Sequence, residues 1–392
     1  MPTNILNPWN TVHESSKVRE LRAIDDVPAA QWNALQGAQC PFLRHEFLAA
    51  LEHSGCVGRD TGWQPAHLTL HDGGRLLGAA PVYRKTHSWG EFVFDFGWAQ
   101  AYARHGLNYY PKLLCAVPFS PVNSRRLLVA AGADEAATQA QLIQALTQRC
   151  ADQRLSSVHA TFIDAGERER FERAGWLLRS DVQFHWHNAG YRDFDHYLAD
   201  FRADKRKQMR RERRRIAEEG LRIHTLRGTQ LSDEQLTFVY RTHARTFHAH
   251  GHEPYLNPAF FREVARTLGD ALMVKLALHG EEPVAVAVFF VGPDALYGRY
   301  WGAIGNFHSL HFELCYHQGI EFCIEQGLAR FEPGTQGEHK IARGFAPSHT
   351  WSAHYVADER FRAAIAEFLQ QEGASVEAYA QSAAEHVPFH RT

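Results

Sequence analysis

The order of predicted secondary structure is nearly the same in the two halves of the sequence, and this repeat constrains the fold most strongly. Each half begins with helical segments and continues with two strands joined by a short turn. A further strand, a long helix and a final strand complete each half. The two hairpins lie at residues 67–85 and 273–291, about 200 residues apart. Repetition of such a unit predicts a duplicated domain.

The segments around the hairpins support this interpretation. In the first half we predict helices at 29–37 and 45–55, a strand at 91–97, a helix at 135–153 and a strand at 156–164. In the second half we predict helices at 233–247 and 257–269, a strand at 295–304, a helix at 310–327 and a strand at 329–334. This order is typical of an α+β fold. We therefore predict two tandem domains, 1–188 and 189–392, each with a mixed, mostly antiparallel sheet flanked by helices.

Composition favours a globular cytoplasmic protein. Hydrophobic residues make up 45% of the 392 residues, which is enough for a core in each half. The net charge of −2 gives no general attraction for nucleic acid, so DNA is not an expected partner. The six cysteines include no C-x-x-C pair, as is usual for reduced thiols in the cytosol. Residues 1–21 lack the apolar segment of a signal peptide, and no membrane insertion is expected.

A run of basic residues lies in a predicted helix at 195–219, near the boundary between the halves. Eight lysines and arginines fall between residues 205 and 215. A solvated helix whose arginines pair with neighbouring acidic residues would explain this run. Because the positive charges outnumber those acids, the helix also suits a polyanion such as a nucleotide diphosphate or a tRNA backbone. Arg210, Arg211 and Arg214 are therefore candidate binding residues.

A glycine-rich loop with four ionisable side chains follows the last predicted strand of the second half. The sequence EPGTQGEHKIARGFAP, residues 332–347, contains Glu338, His339, Lys340 and Arg343. A connector that only turned the chain would not need so much charge. Charge concentrated on a loop after a core strand favours a functional site. The structural alternative is that these side chains cap a sheet edge and pair with one another.

Further candidates lie on the predicted strand at 295–304 and on the helix that follows it. Arg299 interrupts an otherwise apolar strand, and a buried arginine needs an anion or an acidic partner. Tyr300 and Trp301 follow it and either contact a ligand or pack in the core. His311 and Gln318 share one face of the next helix, so we include both as candidate binding residues.

The spacing of the histidines does not indicate a metal site. The cluster HAHGH, residues 248–252, lies in a predicted loop and lacks the defined spacing of zinc ligands. We therefore expect no metal and no tightly bound cofactor.

The order of these motifs resembles the FemAB-like branch of the GNAT acyltransferase superfamily, the predicted N-acyltransferases of the peptidoglycan-biosynthesis type. The basic stretch at 200–220 resembles the family's stretch of spaced lysines and arginines before Glu-Gly. Residues 311–334 resemble its long helix and strand, and HKIARGFAP, residues 339–347, resembles the basic residue and Gly-Phe that close this block. QFHW (183–186) and GRYWG (298–302) extend the resemblance over nearly the whole chain.

This resemblance implies tandem GNAT folds and acyl transfer to an amine, with the chemistry in the second half. FemAB proteins use aminoacyl-tRNA to acylate an amine of a cell-wall precursor, whereas ordinary GNAT enzymes use acyl-CoA. The resemblance therefore leaves both co-substrates open, and the acceptor is a small molecule, a peptide or a cell-wall precursor. RYWGAI, residues 299–304, matches the GNAT pyrophosphate loop only in part, because Ile304 replaces a small residue. This departure weighs against acyl-CoA.

The resemblance also implies a catalytic position for the charged loop. In a GNAT-type sheet the fourth and fifth strands separate, the acyl group lies in the gap, and the loop after the last strand lines it. Lys340 or Arg343 would then stabilise the oxyanion or hold a phosphate, and either one could stand for the family's closing lysine. Glu338 or His339 would accept a proton or bind the amine.

Two other functions are compatible with the sequence. The first is an acyl-CoA-dependent GNAT acetyltransferase that acts on a small molecule or a peptide. The second is a non-catalytic protein that binds tRNA or a peptidoglycan precursor through the basic helix. The intact loop at 337–345 argues against the non-catalytic protein.

Overall fold

The computed structural model describes residues 16–335 and 337–389. Most of the segment used to judge the signal peptide, and Gln336 in the charged loop, lie outside the described residues. The strands of the first half are β1 (Ser16–Leu21), β2 (Leu35–Gln36), β3 (Trp63–Pro65), β4 (His67–Asp72), β5 (Arg75–Ala80), β6 (Val82–Lys85), β7 (Lys112–Cys115), β8 (Leu128–Ala130), β9 (Ser157–Ile163) and β10 (Leu177–His187). Its helices are α1 (Ala29–Asn33), α2 (His45–His53), α3 (Phe96–Arg104), α4 (Glu135–Asp152) and α5 (Arg168–Arg173).

The second half begins with two helices and ends with the longest one. Its strands are β11 (Leu221–Arg227), β12 (Leu272–His279), β13 (Glu282–Val291), β14 (Ala295–Ala303), β15 (Arg330–Glu332) and β16 (Ala346–Val356). Its helices are α6 (Phe194–Ala199), α7 (Ala203–Glu218), α8 (Asp233–Ala249), α9 (Pro258–Leu268), α10 (Leu310–Phe312), α11 (Gln318–Gln326) and α12 (Glu359–Glu385). A π-helical turn, Glu313–His317, joins α10 to α11, and a 3-10 turn, Glu338–Arg343, precedes β16.

One large sheet runs through both halves. Its eleven strands follow the order β11-β12-β13-β14-β15-β10-β16-β9-β7-β6-β3, and a second sheet has the order β1-β4-β5-β8-β2. Among the described strands, only β7 with β9 and β14 with β15 pair in parallel. The predicted α+β class, with mixed and mostly antiparallel sheets, is confirmed.

The central strands of the large sheet are exchanged between the halves. β16 of the second half lies between β9 and β10 of the first half and is antiparallel to both. β10 also pairs with β15 of the second half. The two halves therefore meet through backbone hydrogen bonds, and the boundary between residues 188 and 189 stays a prediction.

The halves also share a hydrophobic core. Phe42 and Phe47 of the first half contact Phe290 of the second, with ring centroids 4.9 and 5.6 Å apart. The ring of Phe47 also lies 5.6 Å from the ring of Phe260. All four rings are buried. Aromatic contacts of this kind stabilise the packing beyond the burial of apolar area.

Two local predictions were wrong. Residues 91–95 form no strand, and α3 begins at Phe96 instead. The alternation of polar and apolar residues predicted a strand with its apolar side buried. Instead, Glu91 and Asp95 turn inward to bind Lys112, whereas Phe94 turns outward. The basic helix predicted at 195–219 is divided into α6 and α7, and the buried residue Phe201 lies at the break.

The separation of β14 and β15 creates the space for a site. Only the first three residues of β14 pair with β15. The pairing of β13 with β14 places Val288 opposite Tyr300 and Phe289 opposite Gly298, so Arg299 is the extra residue of a β-bulge. Bulges of this kind redirect side chains and are frequent beside active sites.

Candidate active site

A cavity of about 600 Å³ lies beside the separated ends of β14 and β15, and we call it the lysine cavity. Arg299 and Tyr300 line it from β14, and Gly334 lines it just after β15. The first half supplies another wall through Phe92 and Phe119. The other side chains used below are His243, His311, Tyr316, His339 and Lys340.

Lys340 is the buried cation of this cavity. It is 2% exposed, and its Nζ donates to the carbonyl oxygen of Gly334 at 2.6 Å. Within the described residues, no carboxylate lies within ion-pair distance of its ammonium group. Burial lowers the pKa of Lys340 to about 7. An anion bound in the cavity would favour the charged form of this lysine.

The backbone around Lys340 is held by close contacts that require glycine. Gly334, Gly337 and Gly344 all have positive φ angles, of 98°, 107° and 82°. A Cβ atom at Gly344 would collide with the hydroxyl of Tyr197. That hydroxyl donates to the carbonyl oxygen of Arg343 at 2.7 Å, which ties the charged loop to α6.

Tyr316 and His339 form a hydrogen-bonded pair at the lysine cavity. The Tyr316 hydroxyl lies 2.7 Å from Nε2 of His339. Burial, followed by the charges of Lys340 and Arg343, lowers the pKa of His339. Burial lowers the pKa of His311 to about 4, and its ring lies 5.4 Å from that of Tyr316. Both imidazoles are therefore neutral at neutral pH and able to accept a proton.

Arg299 links the second half to the first at the cavity wall. Its Nη2 donates to the carbonyl oxygen of Phe119 at 2.5 Å. Its buried Nε has no hydrogen-bond partner within the described part of the chain. Tyr300 lies next to it, and burial raises the pKa of the Tyr300 hydroxyl. Arg299 therefore lies where it can bind an anionic group of a ligand.

His243 of α8 was not among the residues predicted for the site. It is 2% exposed and its ring lies 4.7 Å from that of Tyr300. Burial and the charge of Arg299 lower its pKa to about 4, and its Nε2 has no hydrogen-bond partner among the described residues. A histidine on the buried face of an amphipathic helix carries no sequence signal that distinguishes it from a core residue.

Arg343 lies at a second cavity, which we call the arginine cavity. This cavity of about 500 Å³ is lined by Gln208, Arg211, Glu212, Arg215, His308, Ser309, Phe312 and Arg343. The guanidinium of Arg343 stacks 3.4 Å from the Phe312 ring centroid, and its Nη2 lies 3.3 Å from both carboxylate oxygens of Glu212. The Phe312 and His339 rings are 6.0 Å apart, so the two cavities adjoin.

Three other predicted residues, Glu338, Gln318 and Trp301, do not line the lysine cavity. Glu338 is exposed, accepts a hydrogen bond from Tyr379 at 3.0 Å and lines a different cavity. Gln318 donates to Glu313 at 2.7 Å and does not line the lysine cavity. The rings of Trp301 and His311 make an edge contact, with their centroids 5.2 Å apart.

The three candidate arginines of α7 differ in their surroundings. Arg211 lines the arginine cavity. Arg210 pairs with Asp195 at 3.0 Å, and Arg214 pairs with Glu218 at 3.7 Å on the exposed surface. Arg215, which was not singled out from the sequence, also lines the cavity and contacts His308 at 3.0 Å.

The described residues lack two structural features. Across residues 16–335 and 337–389, no group of three or more His, Cys, Asp or Glu side chains is placed to hold a metal ion. In the same residues, no helix combines the length and the apolar character needed to cross a membrane.

The exchanged strands, the separated β14 and β15 and the cavity between them define a tandem GNAT-like fold. The chain belongs to the FemAB-like family, described as peptidoglycan biosynthesis/recognition, whose profile matches residues 23–391. The resemblance inferred from the motifs is thereby confirmed. At the level of the family, this membership supports a peptidoglycan-related acyl or aminoacyl transferase.

Solved structures with a similar fold span most of the chain. FemX has a TM-score of 0.54 at 10% identity, and the match covers 89% of this chain and 100% of FemX. L-PGS from Bacillus licheniformis has a TM-score of 0.51 at 10% identity, with 80% and 92% covered. A conserved protein of unknown function from Bacteroides thetaiotaomicron has a TM-score of 0.51 at 8% identity, with 86% and 99% covered. These likenesses concern the fold, and no curated protein matches the sequence.

Proposed function

We propose that this protein transfers an acyl or aminoacyl group to the amine of a peptidoglycan-related acceptor, and that the reaction takes place in the lysine cavity. The burial of Lys340 without a carboxylate partner among the described residues carries this proposal. Buried lysines are rare unless they are paired. A cation held in this way is suited to an anion that forms only during a reaction.

In the proposed mechanism, Lys340 stabilises the tetrahedral intermediate. The acceptor nitrogen attacks the carbonyl carbon of the donor, and the carbonyl oxygen becomes an oxyanion beside the Lys340 ammonium group. The pKa of about 7 leaves a substantial fraction of this lysine protonated at neutral pH. Because the Lys340 side chain is buried, the attraction between the charges is stronger than in bulk solvent.

Tyr316 and His339 provide the route for the proton. The attacking amine gives its proton to the Tyr316 oxygen while the Tyr316 hydroxyl proton passes to Nε2 of His339, 2.7 Å away. His339 then returns a proton to the leaving oxygen or sulfur as the tetrahedral intermediate collapses. The amide forms, the donor ester or thioester breaks, and both side chains regain their starting protonation.

The arginine cavity supports a phosphate-bearing donor. Arg211 and Arg215 line it from α7, and it adjoins the lysine cavity through Phe312 and His339. Acyl-CoA and aminoacyl-tRNA both carry phosphates that these arginines can bind. Further arginines extend along the exposed face of α7, which favours the longer polyanion, aminoacyl-tRNA, as the donor.

A transfer assay tests the proposal. The protein is incubated with a muramyl peptide that carries a free side-chain amine, and with either a mixture of charged tRNAs or acetyl-CoA. Mass spectrometry of the peptide should show the added mass of one amino acid in the presence of charged tRNA. A product formed only with acetyl-CoA would identify acyl-CoA as the donor. Binding of the peptide and tRNA with no product from either donor would contradict the proposed reaction and favour a binding protein.

A further inference from the structure

The loop before α3 and the first residue of that helix expose three aromatic side chains beside the lysine cavity. Trp89 is 53% exposed, Phe94 is 66% exposed and Phe96 is 39% exposed. The Phe96 ring centroid lies 5.3 Å from that of Trp89 and 6.0 Å from that of Phe94. The three rings therefore form one continuous surface, which we call the aromatic rim.

The aromatic rim is continuous with the lysine cavity. Phe92, from the same loop, lines the cavity. The Trp89 ring lies 6.1 Å from the ring of His252, which lines the cavity from the second half. A surface that bound to the rim would therefore lie next to the opening of the candidate active site.

The polar groups of the loop point into the protein. Glu91 and Asp95 are 4% and 3% exposed, and both carboxylates bind the ammonium group of Lys112. The ammonium group of Lys85 lies 3.4 Å from the carbonyl oxygen of Trp89. These contacts hold the backbone so that the aromatic rings remain outside. Contiguous exposed apolar surface of this kind marks an interaction site.

The exposed charges of this loop and of α3 are positive, and Arg179, which donates to the carbonyl oxygen of Phe94, is paired with Glu372 of α12. Between residues 84 and 112 the only carboxylates in the sequence are those of Glu91 and Asp95, and both are buried. Arg104 and His105, at the end of α3, are exposed. The outer surface of this segment therefore combines aromatic rings with basic side chains, as do surfaces that bind anionic membranes.

We propose that the aromatic rim docks this protein onto the surface of an anionic phospholipid bilayer. Tryptophan and phenylalanine favour the interface between headgroups and acyl chains. Such docking is peripheral: it inserts side chains only and needs no spanning helix. The consequence for catalysis rests on the proposed function, since the lysine cavity would open beside the headgroups, where a lipid-carried acceptor presents its amine.

Vesicle flotation tests the docking. The protein should float with vesicles of phosphatidylglycerol and phosphatidylethanolamine, and less so as salt is raised. The triple variant Trp89→Ser, Phe94→Ser, Phe96→Ser should lose about tenfold or more in vesicle affinity. Tyr379→Ser is the control for an exposed aromatic side chain outside the rim, because Tyr379 of α12 is 41% exposed and lines a different cavity beside Glu338. It should float like the wild type, and circular dichroism should confirm that every variant is folded.

Fluorescence quenching gives a second measurement that needs no triple variant. Lipids brominated near the headgroup should quench tryptophan emission of the wild type, and Trp89→Phe should reduce the quenching while flotation persists. Absence of wild-type flotation, or equal flotation of the triple variant, would overturn the docking. If the wild type binds no vesicles but self-associates, and the triple variant does not self-associate, the rim is a contact between two copies instead. Because neither measurement needs an acyl donor, failure of the transfer assay would leave this result unaffected.

Discussion

Lys340 lies in surroundings that folding alone does not explain. Removing an ammonium group from water costs free energy, and among the described residues the compensation is one hydrogen bond, to the carbonyl oxygen of Gly334. The charge of Lys340 therefore lowers the stability of the folded protein unless an anion occupies the cavity. A buried charge that lowers stability, beside a cavity lined by neutral proton acceptors, is typical of an active site.

Replacing Lys340 by methionine should separate a catalytic role from a structural one. We expect single-turnover transfer to fall about 100- to 1000-fold, the loss usual for a missing oxyanion donor. The melting temperature should stay the same or rise, because a buried charge is removed. Lys275→Met is the control: Lys275 is 6% exposed and donates to Thr225 and Gln318 outside the cavity. Wild-type turnover of Lys340→Met would contradict the assignment.

The pH dependence of transfer should be bell-shaped. The reaction needs neutral His339, whose pKa is lowered, so the rate should rise with pH below neutrality. It also needs charged Lys340, whose pKa is about 7, so kcat/KM should fall above that pH. Lys340→Arg should keep its charge and move the alkaline limb to higher pH, even if the maximal rate is lower. An unchanged alkaline limb in Lys340→Arg would exclude Lys340 as its source.

At the scale of the elements, helix α7 has two functions, and its sequence alone does not show which of its basic residues serve each one. One face stabilises the fold, because Arg213 pairs with Glu321 at 2.7 Å and Glu212 binds Arg343. The other presents Arg211 and Arg215 at the arginine cavity. The run of basic residues is thus partly structural and partly available to a ligand.

Reversing the charge of the two cavity arginines should weaken donor binding. The double variant Arg211→Glu, Arg215→Glu should lower the affinity for charged tRNA. The slope of the logarithm of the binding constant against the logarithm of salt concentration should also become shallower, by the amount that about two phosphate contacts contribute. Fluorescence anisotropy with labelled tRNA measures both quantities. Arg173→Glu with Arg360→Glu is the charge-matched control, since both arginines are exposed and pair with acidic residues outside α7. Equal effects of the control and the double variant would mean that only overall charge matters.

The helix after β14 shows how an element positions a site residue. Its π-helical turn, Glu313–His317, contains one residue more than an α-helical turn. This turn carries Tyr316, whose hydroxyl is hydrogen-bonded to His339. π-helical turns are rare and frequent at functional sites. Helical periodicity predicted His311 and Gln318 on one face, but Gln318 instead binds Glu313 and Lys275.

At the scale of the whole molecule, buried histidines join the two halves. Nδ1 of His159 on β9 lies 2.8 Å from Nδ1 of His354 on β16, so one ring donates to the other and both are neutral. Burial lowers the pKa of His159 to about 3, and the pKa of His354 falls well below its usual value for the same reason. Burial also lowers the pKa of His185, on β10, to about 3.

The protein should therefore lose stability in mild acid. Because these pKa values are lower in the folded state, the stabilisation is complete above the ordinary histidine pKa of about 6.5 and is lost as pH falls from there toward 3. Each such histidine should lower the free energy of unfolding by about 1.4 kcal/mol per pH unit in this range. Urea unfolding at several pH values measures this slope.

A single substitution checks the origin of the acid sensitivity. His185→Gln should reduce the pH slope by the contribution of one proton, because glutamine does not titrate. His224→Gln, at an exposed position of β11, should leave the slope unchanged. The same slope in wild type and His185→Gln would show that other groups cause the loss of stability.

Local patterns in the sequence were sufficient for much of this architecture. Alternation of apolar residues around Asp72-Gly73-Gly74 and Gly280 predicted both hairpins, and helical spacing predicted α4, α8 and α9. The density of charge after β15 pointed to the loop that places Lys340 in the cavity. These signals are readable because hairpins, helices and charged loops depend on residues close together in the chain.

Tertiary structure alone decided the features that depend on distant residues. The insertion of β16 between β9 and β10, the inward turn of Glu91 and Asp95 toward Lys112, and the placement of His243 beside Tyr300 join segments far apart in sequence. The loop sequence left Lys340 and Arg343 equivalent, and they came to line different cavities because Glu212 of α7 binds the guanidinium. A side chain's burial and partners are set by the elements packed against it, and those elements meet only when the whole chain has folded.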